Sequence, residues 1–582
     1  MAETIISPGV FARENDISFI QPAPAAVGAA IIGPTVKGPV EIPTLVTSYN
    51  DFSRKFGVTF ESGSTTQEFL TSIAVKSYFD QGGESVLVSR VVSGSAGWTR
   101  AASTTIASTT GSIENAFTIS TIGKGALYSN NSGSTYNSGG LEENTDGSLK
   151  SGSADNIRWE ISNVDSGSGT FTLAVRAGND STKNKVILET FNNLSLDPNS
   201  PNYIASVIGD QRSELSSGQV ITTGDYTNKS NYIYVSAVNN PTLNYLGNDG
   251  VTIQSGSDGV GYDQYLPTEQ SGSFHGSAGT IAPAGAKYFG DIDTDVQGLE
   301  GDDYNNVITL LGNKDEFQFN IISAPGLTNQ HTGTQVDNII SLAETRGDCI
   351  AVVDLVDYDA TLVSAVTGQA ATLNSSYAAS YWPYLQMQSA TGKLVWVPAS
   401  VVIPGVYAFT DGASAPWFAP AGLVRGGLTG VIQAKKKLSR SDRDALYTSK
   451  VNPIATFPGT GISVFGQKTL QTKASALDRV NVRRLLIELK KFLGDQARNL
   501  VFEQNTIATR NRFLAAVNPY LDSVVQQQGL FAYRVVMDDT NNTPDVVDRN
   551  QLVGQIFIQP AKTAEFIILD FVVEPTGATF DA

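Results

Sequence analysis

The chain is poor in the residues that carry most enzymatic and metal chemistry. Its 582 residues include one cysteine, Cys349, and two histidines, His275 and His331. A structural zinc module needs about three or four clustered nitrogen or sulfur ligands, so a Cys/His zinc fold is excluded. A single cysteine has no partner for a disulfide within the chain, and nothing argues for an oxidising compartment. Cys349 sits in "DCIAVVDLV", an apolar run that reads as a buried strand, where a thiol acts as a small hydrophobe rather than a nucleophile. His331, in "GLTNQHTGTQ", reads as a loop histidine at the surface with no mapped partner. Also missing is any run of about 20 apolar residues that would cross a bilayer as a helix. The first twenty residues lack the basic and apolar regions of a secretory signal. The expectation is a chain kept in the cytosol unless a particle carries it out, with no membrane insertion.

Motifs for small ligands are incomplete. "GTGISVFGQKT", residues 459–469, resembles a phosphate loop, but Gln467 separates Gly466 from Lys468 and breaks the Gly-Lys-Thr geometry. It is no dinucleotide fingerprint either, because Val464 takes the third glycine position. "DIDTDVQGLEGDD", residues 291–303, opens like a calcium loop with Asp291, Asp293 and Asp295. Val296 replaces the sharp-turn glycine and Asp302 stands where a bidentate glutamate belongs, so a solvated acidic loop is the simpler reading. No catalytic residue, metal or cofactor is expected.

What the chain does have is acid in excess, unevenly spread. The net charge is −17, yet residues 431–512 hold 16 Lys and Arg against 6 Asp and Glu. One face is built to meet something acidic. Within that segment "VNVRRLLIELKKFLGDQARNL", residues 480–500, has helical periodicity. Val482, Leu485, Leu486, Leu489, Leu493 and Leu500 fall on one stripe, with Arg483, Arg484, Lys490, Lys491 and Arg498 gathered opposite. Asp478 or Asn481 is placed to cap its start, and Gly494 weakens its later half by roughly 1 kcal/mol relative to alanine. The cationic side is either a solvated face or the contact for an acidic partner. With that stripe of leucines untouched, reversing Arg483, Arg484, Lys490 and Lys491 to Glu is expected to leave the fold intact.

Three textures follow one another along the chain. Residues 1–22, interrupted by Pro8, Gly9 and Pro22, cannot pack as a unit and read as an extended arm. Residues 23–95 read as mixed α/β, with strands at "AAVGAAIIG" and "SVLVSRVV" around a helix at "TQEFLTSIAVKSYFDQ". From 96 to 300 the composition turns to Ser, Thr, Gly and Asn, 33 of the 60 residues between 101 and 160. Alternating runs such as "GTFTLAVRAG" and "KSNYIYVSAV" make this a β-rich insertion rather than a disordered one. From 301 to 564 the α/β texture returns, and "FQFNIISAPG", "VDNIISLAET" and the Cys349 strand suggest a βαβ unit. The simplest architecture is a multidomain α+β or mixed α/β chain with a discontinuous core interrupted by the insertion.

"DDTNNTPDVVDRN", residues 538–550, lies between two strand-like segments and is predicted to shape a hairpin. Asn541, Asn542 and Asp545 suit turns, and Pro544 is expected to forbid a helix. The last strand, "EFIILDFVVEP", is apolar and β-prone, so as a free edge it would aggregate. Residues 565–582 are therefore expected to pair with a partner, and the N-terminal arm is the matching kind of segment. Exchange of such strands between copies would propagate a ring or a filament.

The chain resembles the tail sheath proteins of contractile-tailed, myovirus-type bacteriophages. The resemblance is carried by "SPGVFARE", "SYNDFSRKFG", "FNNLSLDPNSPNYIASVIGD", "WFAPAGLVRGGL", "LDRVNVRRLLIELKKFL" and the C-terminal stretch from "YRVVMDDTNNTPD" to "FIILDFV". It implies a conserved core built from both chain ends, with variable domains inserted and facing outward. It also implies six-membered rings stacked helically around a tail tube, whose contraction drives the tube through the host envelope. The subunits would be linked by arms that include Pro8, Gly9, Val10, Phe566, Ile567, Ile568, Leu569 and Phe571. The cationic side of the 480–500 helix would face the tube. Further expected partners are baseplate and tail terminator proteins, with no nucleic acid, in a virion tail assembled in the host cytoplasm. Two rivals stand beside this: the sheath of a secretion or bacteriocin particle, and a glycan-binding or enzymatic module in the insertion, hinted at by Trp159 and the acidic loop.

Overall fold

The computed structural model describes residues 28–62, 65–92, 101–109, 115–124, 144, 146–149, 152, 156–216, 218–275, 299–459 and 461–565. Pro8, Gly9 and Val10, the aspartates at 291–295, and Phe566, Ile567, Ile568, Leu569 and Phe571 lie outside the described residues.

An eight-stranded sheet organises the protein. Its spatial order is Thr44–Val46, Val86–Arg90, Ala29–Gly33, Ile321–Thr328, Ile350–Asp354, Ala378–Trp382, Asn452–Phe457 and Gly461–Val464. The interior pairings are parallel and the two outermost are antiparallel. Ala29–Gly33 lies between a strand from its own segment and one from beyond the insertion, with Ala29 opposite Ile321 and Ile31 opposite Ser323. The core is thus discontinuous in sequence and continuous in space.

Parallel strands must be covered on both faces, and these are. Ala29 and Ile31 point into one apolar layer with the helices Leu70–Asp80 and Ile403–Ala413. Ala30 and Ile32 point into the other, with the helix Asn329–Arg346 and Cys349. Ile321–Thr328, Asn329–Arg346 and Ile350–Asp354 form the βαβ unit, its strands parallel. The helix ends where Gly347, at φ 70°, takes the left-handed conformation that glycine adopts without penalty. Cys349 is fully buried, and burial pushes its thiol well above the ordinary range.

The insertion is a β-sandwich. A four-stranded sheet (Ile187–Ser195, Thr170–Ala177, Ile157–Asp165, Gln270–Ser273) packs against a three-stranded one (Ile233–Val238, Phe117–Lys124, Ala101–Ile106). Phe117 stacks on Phe171 across the two, centroids 5.5 Å apart. Trp159 is fully buried in this core and its indole N–H donates to Ser273 O at 3.2 Å. Trp159 as a hint of a glycan-binding or enzymatic pocket is thereby corrected: alternation along the strand turns it into the sandwich core. Buried Arg90 ties sandwich to core, donating from Nη1 to Gly38 O at 2.7 Å and to Lys124 O at 2.8 Å.

A C-terminal unit completes the chain: helices Val480–Arg498 and Ile507–Gln526 against the hairpin Leu530–Val536 and Gln555–Pro560. The hairpin is the one expected, and its connection is held by side chain to backbone bonds. Asn542 Nδ2 donates to Val553 O and its Oδ1 accepts from Val553 N, both at 2.8 Å, while Asn541 Nδ2 donates to Val536 O at 2.7 Å. Pro544 does not forbid a helix there; it begins a short one, Pro544–Asp548. At the first helical position the missing N–H is one that has no intrahelical acceptor, so proline costs nothing.

Candidate interaction surface on the basic helix

The helix Val480–Arg498 carries the charges singled out in the sequence. Its first residue is not capped by Asp478 or Asn481. Arg479 precedes it without a side-chain cap bond, and Val480 N donates instead to Gln467 O at 2.8 Å. The chain runs helically through Gly494 to Arg498. The leucine stripe packs as expected: Val482, Leu485 and Leu489 are buried, and Leu486, Leu493 and Leu500 are half-buried.

The opposite side is not one exposed cationic face. Arg483 and Arg484 are each only 4 % exposed. Arg484 Nη2 grips Asp411 at 2.7 Å and 2.5 Å, and its guanidinium lies 4.7 Å from the Tyr407 ring centroid. Arg483 donates to Ser376 Oγ at 2.5 Å and stacks 3.9 Å over Tyr377. Burial pulls the Arg483 guanidinium below its usual range, and burial raises the Asp411 carboxyl even with Arg484 beside it. These two arginines join the C-terminal unit to the core. Asp411 belongs to the helix Ile403–Ala413, whereas Ser376 and Tyr377 precede the strand Ala378–Trp382.

Seven residues on, two helical turns along the same side, the surroundings open. Lys490 is exposed and donates to Tyr377 Oη at 3.0 Å. Lys491 is half-buried, and burial lowers its ammonium. Arg498 is 60 % exposed and meets Asp315 at 3.1 Å, itself 76 % exposed. With Lys314, Glu344, Asp348 and Asp495 they line a basin of about 390 Å³. Arg346 also borders it, but its donors are committed to Leu311 O, Phe317 O and Asp348. The basin interleaves cations with acids and can take an acidic side chain or loop through several individually weak contacts.

Ile487 is the residue that could have shown this in the sequence. It lies between the two cation pairs on the same side, is buried, and with Val480 joins the apolar layer beneath the sheet. The helix has two apolar stripes, the second short and confined to its first two turns.

The other candidates do not gather around a reaction centre. His331 is not in a loop but in the first turn of Asn329–Arg346, its Nε2 3.0 Å from Asp357 Oδ2. Lys468 Nζ donates to Tyr447 O at 2.8 Å. Asp302 Oδ1 accepts from Gln335 Nε2 at 3.0 Å and from Asn305 Nδ2 at 3.2 Å. Among the described residues no three His, Cys, Asp or Glu side chains cluster to hold a metal ion, and no helix is long and apolar enough to cross a membrane.

Residues 297–470 match the phage tail sheath protein central domain, and residues 472–574 match the phage tail sheath C-terminal domain. The tail sheath protein of Vibrio phage KVP40 is 38 % identical over 258 residues, 44 % of this chain and 36 % of that one. That of Enterobacteria phage T4 is 34 % identical over 277 residues, 44 % of this chain and 42 % of that one. The matched stretch is therefore less than half the length of these relatives. A sheath tail protein from Listeria innocua shares the fold at a TM-score of 0.51 and 11 % identity, covering 92 % of this chain and 96 % of that one. Through residues 297–470 and 472–574, the chain is similar to the central and C-terminal domains of phage tail sheath proteins.

Proposed function

We propose that this protein is the structural subunit of a contractile phage tail sheath. The observation that carries the reading is the unbroken succession of the two sheath domains from 297 to 574, which spans the discontinuous core's second half, the basic helix and the terminal hairpin. In this reading copies of the chain stack as six-membered rings around a tail tube and contract to drive it through the host envelope. The chain is a component of the virion tail, assembled in the host cytoplasm, and acts mechanically rather than as an enzyme.

The division of labour within the chain follows. Residues 23–95 and 301–564 form the core, 96–300 face outward, and 1–22 and 565–582 link neighbouring copies. Lys490, Lys491 and Arg498 face the tube, whereas Arg483 and Arg484 hold the helix in place. Baseplate and tail terminator proteins close the two ends. The free energy of contraction comes from better subunit contacts in the contracted state, so the incomplete phosphate loop is no deficit. Negative-stain microscopy of the purified full chain tests the reading. Hollow tubes support it, and dispersed monomers at high concentration overturn it.

A further inference from the structure

After Pro560 the chain leaves the hairpin and returns to the core. Ala561 N donates to Gly529 O at 3.1 Å. Four residues later the Glu565 carboxylate is held on both oxygens. Oε1 accepts from Arg479 Nε at 2.7 Å and Gln467 Nε2 at 3.0 Å, and Oε2 accepts from Tyr447 Oη at 2.7 Å. Gln467 Nε2 also donates to Thr563 Oγ1 at 2.5 Å. Tyr447 comes from the helix Arg440–Thr448, Gln467 from the loop after Gly461–Val464, and Arg479 from the residue before the basic helix.

Those segments are locked to one another. Lys468 Nζ donates to Tyr447 O, Thr469 N to Asp478 O at 3.0 Å, and Asp478 pairs with Arg479 at 3.0 Å. The strand Gln555–Pro560 is held less well. Among the described residues its one strand partner is Leu530–Val536, with Pro560 opposite Leu530 at the open end of the hairpin. A two-stranded ribbon is marginal by itself, and tension at its open end breaks its bonds one after another.

We propose that Glu565 and its three donors are the mechanical anchor of residues 566–582: a pull on that segment is carried into the core before it reaches the terminal hairpin. The source of the pull, a neighbouring copy, rests on the sheath reading, while the anchor itself stands on the geometry. Charge-assisted bonds from three segments break together, whereas the hairpin opens serially. Burial would raise the Glu565 carboxyl, but the bonds from Arg479, Tyr447 and Gln467 outweigh it and hold the carboxyl below its ordinary 4.5. A carboxyl lowered on folding stabilises above its unfolded pKa and loses that stabilisation as pH falls through the folded value. Asp478, Lys468, Arg440, Arg443, Asp444 and Lys562 are the other charged groups around it or lining the adjoining cavities. At neutral pH the anchor is fully engaged.

Single-molecule pulling on the unassembled full chain tests this, with one handle after Ala582 and the other on the exposed position of Ser364→Cys. Wild type is expected to show its first rupture at a force that Glu565→Gln lowers to about half, with Tyr447→Phe between, as loss of charge-assisted bonds requires. Equal first-rupture forces for wild type and Glu565→Gln overturn the anchor. Should Glu565→Gln fail to fold, Tyr447→Phe, which removes one hydroxyl, decides in its place: a lowered force supports the anchor and an unchanged force overturns it. Failure of the wild type to polymerise would sink the sheath reading and leave this measurement untouched.

Discussion

The two halves of the basic helix each carry a pair of cations in the same angular positions, and the two pairs do opposite things. Arg483 and Arg484 sit under the core, bonded to Ser376 and Asp411. Lys490 and Lys491, seven residues on and so on the same side of the helix, lie at the rim of an open basin. Periodicity fixes which side of a helix a residue occupies, but what covers that side changes along the axis. The residue types agree with the difference. The planar guanidinium suits buried bidentate pairing and stacking on a ring, and the strongly hydrated ammonium suits a wet rim.

The sharpest break comes from Arg484→Glu, which leaves two carboxylates facing each other in a buried site. A loss of about 3–5 kcal/mol is expected, read as a large fall in the urea midpoint or as insoluble protein. Arg483→Met keeps the stem and loses the Ser376 bond and the Tyr377 stack. About 1–3 kcal/mol should disappear in the same denaturation experiment. A stability equal to wild type in either variant would mean that the helix is not fastened at its first turns.

The outer half should answer differently. Lys490→Glu with Lys491→Glu is expected to change stability by no more than about 1 kcal/mol, because the contacts are solvated. Co-sedimentation with tail tubes should fail, or hold only at low salt, while tube-free polymer still forms. Tube attachment that is unchanged at every salt concentration would leave the basin without its proposed partner. Smallest of all, Arg498→Ala removes an exposed pair with Asp315, and thermal unfolding should register less than about 0.5 kcal/mol.

The four-residue charge reversal at 483, 484, 490 and 491 that the sequence invites would confound the two halves. It would unfold the subunit through Arg483 and Arg484, and the loss of assembly would say nothing about the tube. Much of the architecture was legible, because burial on both faces writes itself as apolar runs at Ala29–Gly33 and Ile350–Asp354, and a single apolar inner face as alternation at Thr170–Ala177. The failures share one cause, which is that tertiary neighbours are not in the local pattern. Nothing around Trp159 announces which sheet closes over it, and Pro544 looks the same whether it blocks a helix or starts one. For the arginines a local signal did exist, in Val480 and Ile487 on the supposedly cationic side.

The eight-stranded sheet ends on each side in a short antiparallel strand, Thr44–Val46 and Gly461–Val464. The second of these is also sealed along its outer side, where Val464 N donates to Gly426 O and Leu428 N to Ile462 O. A long bare parallel edge would accept any neighbouring strand at any register. With one end strand sealed and the other, Thr44–Val46, only three residues long, the core offers little free edge. For a protein proposed to crowd many copies into one particle, so short an edge gives a neighbouring sheet little to pair with and disfavours disordered growth.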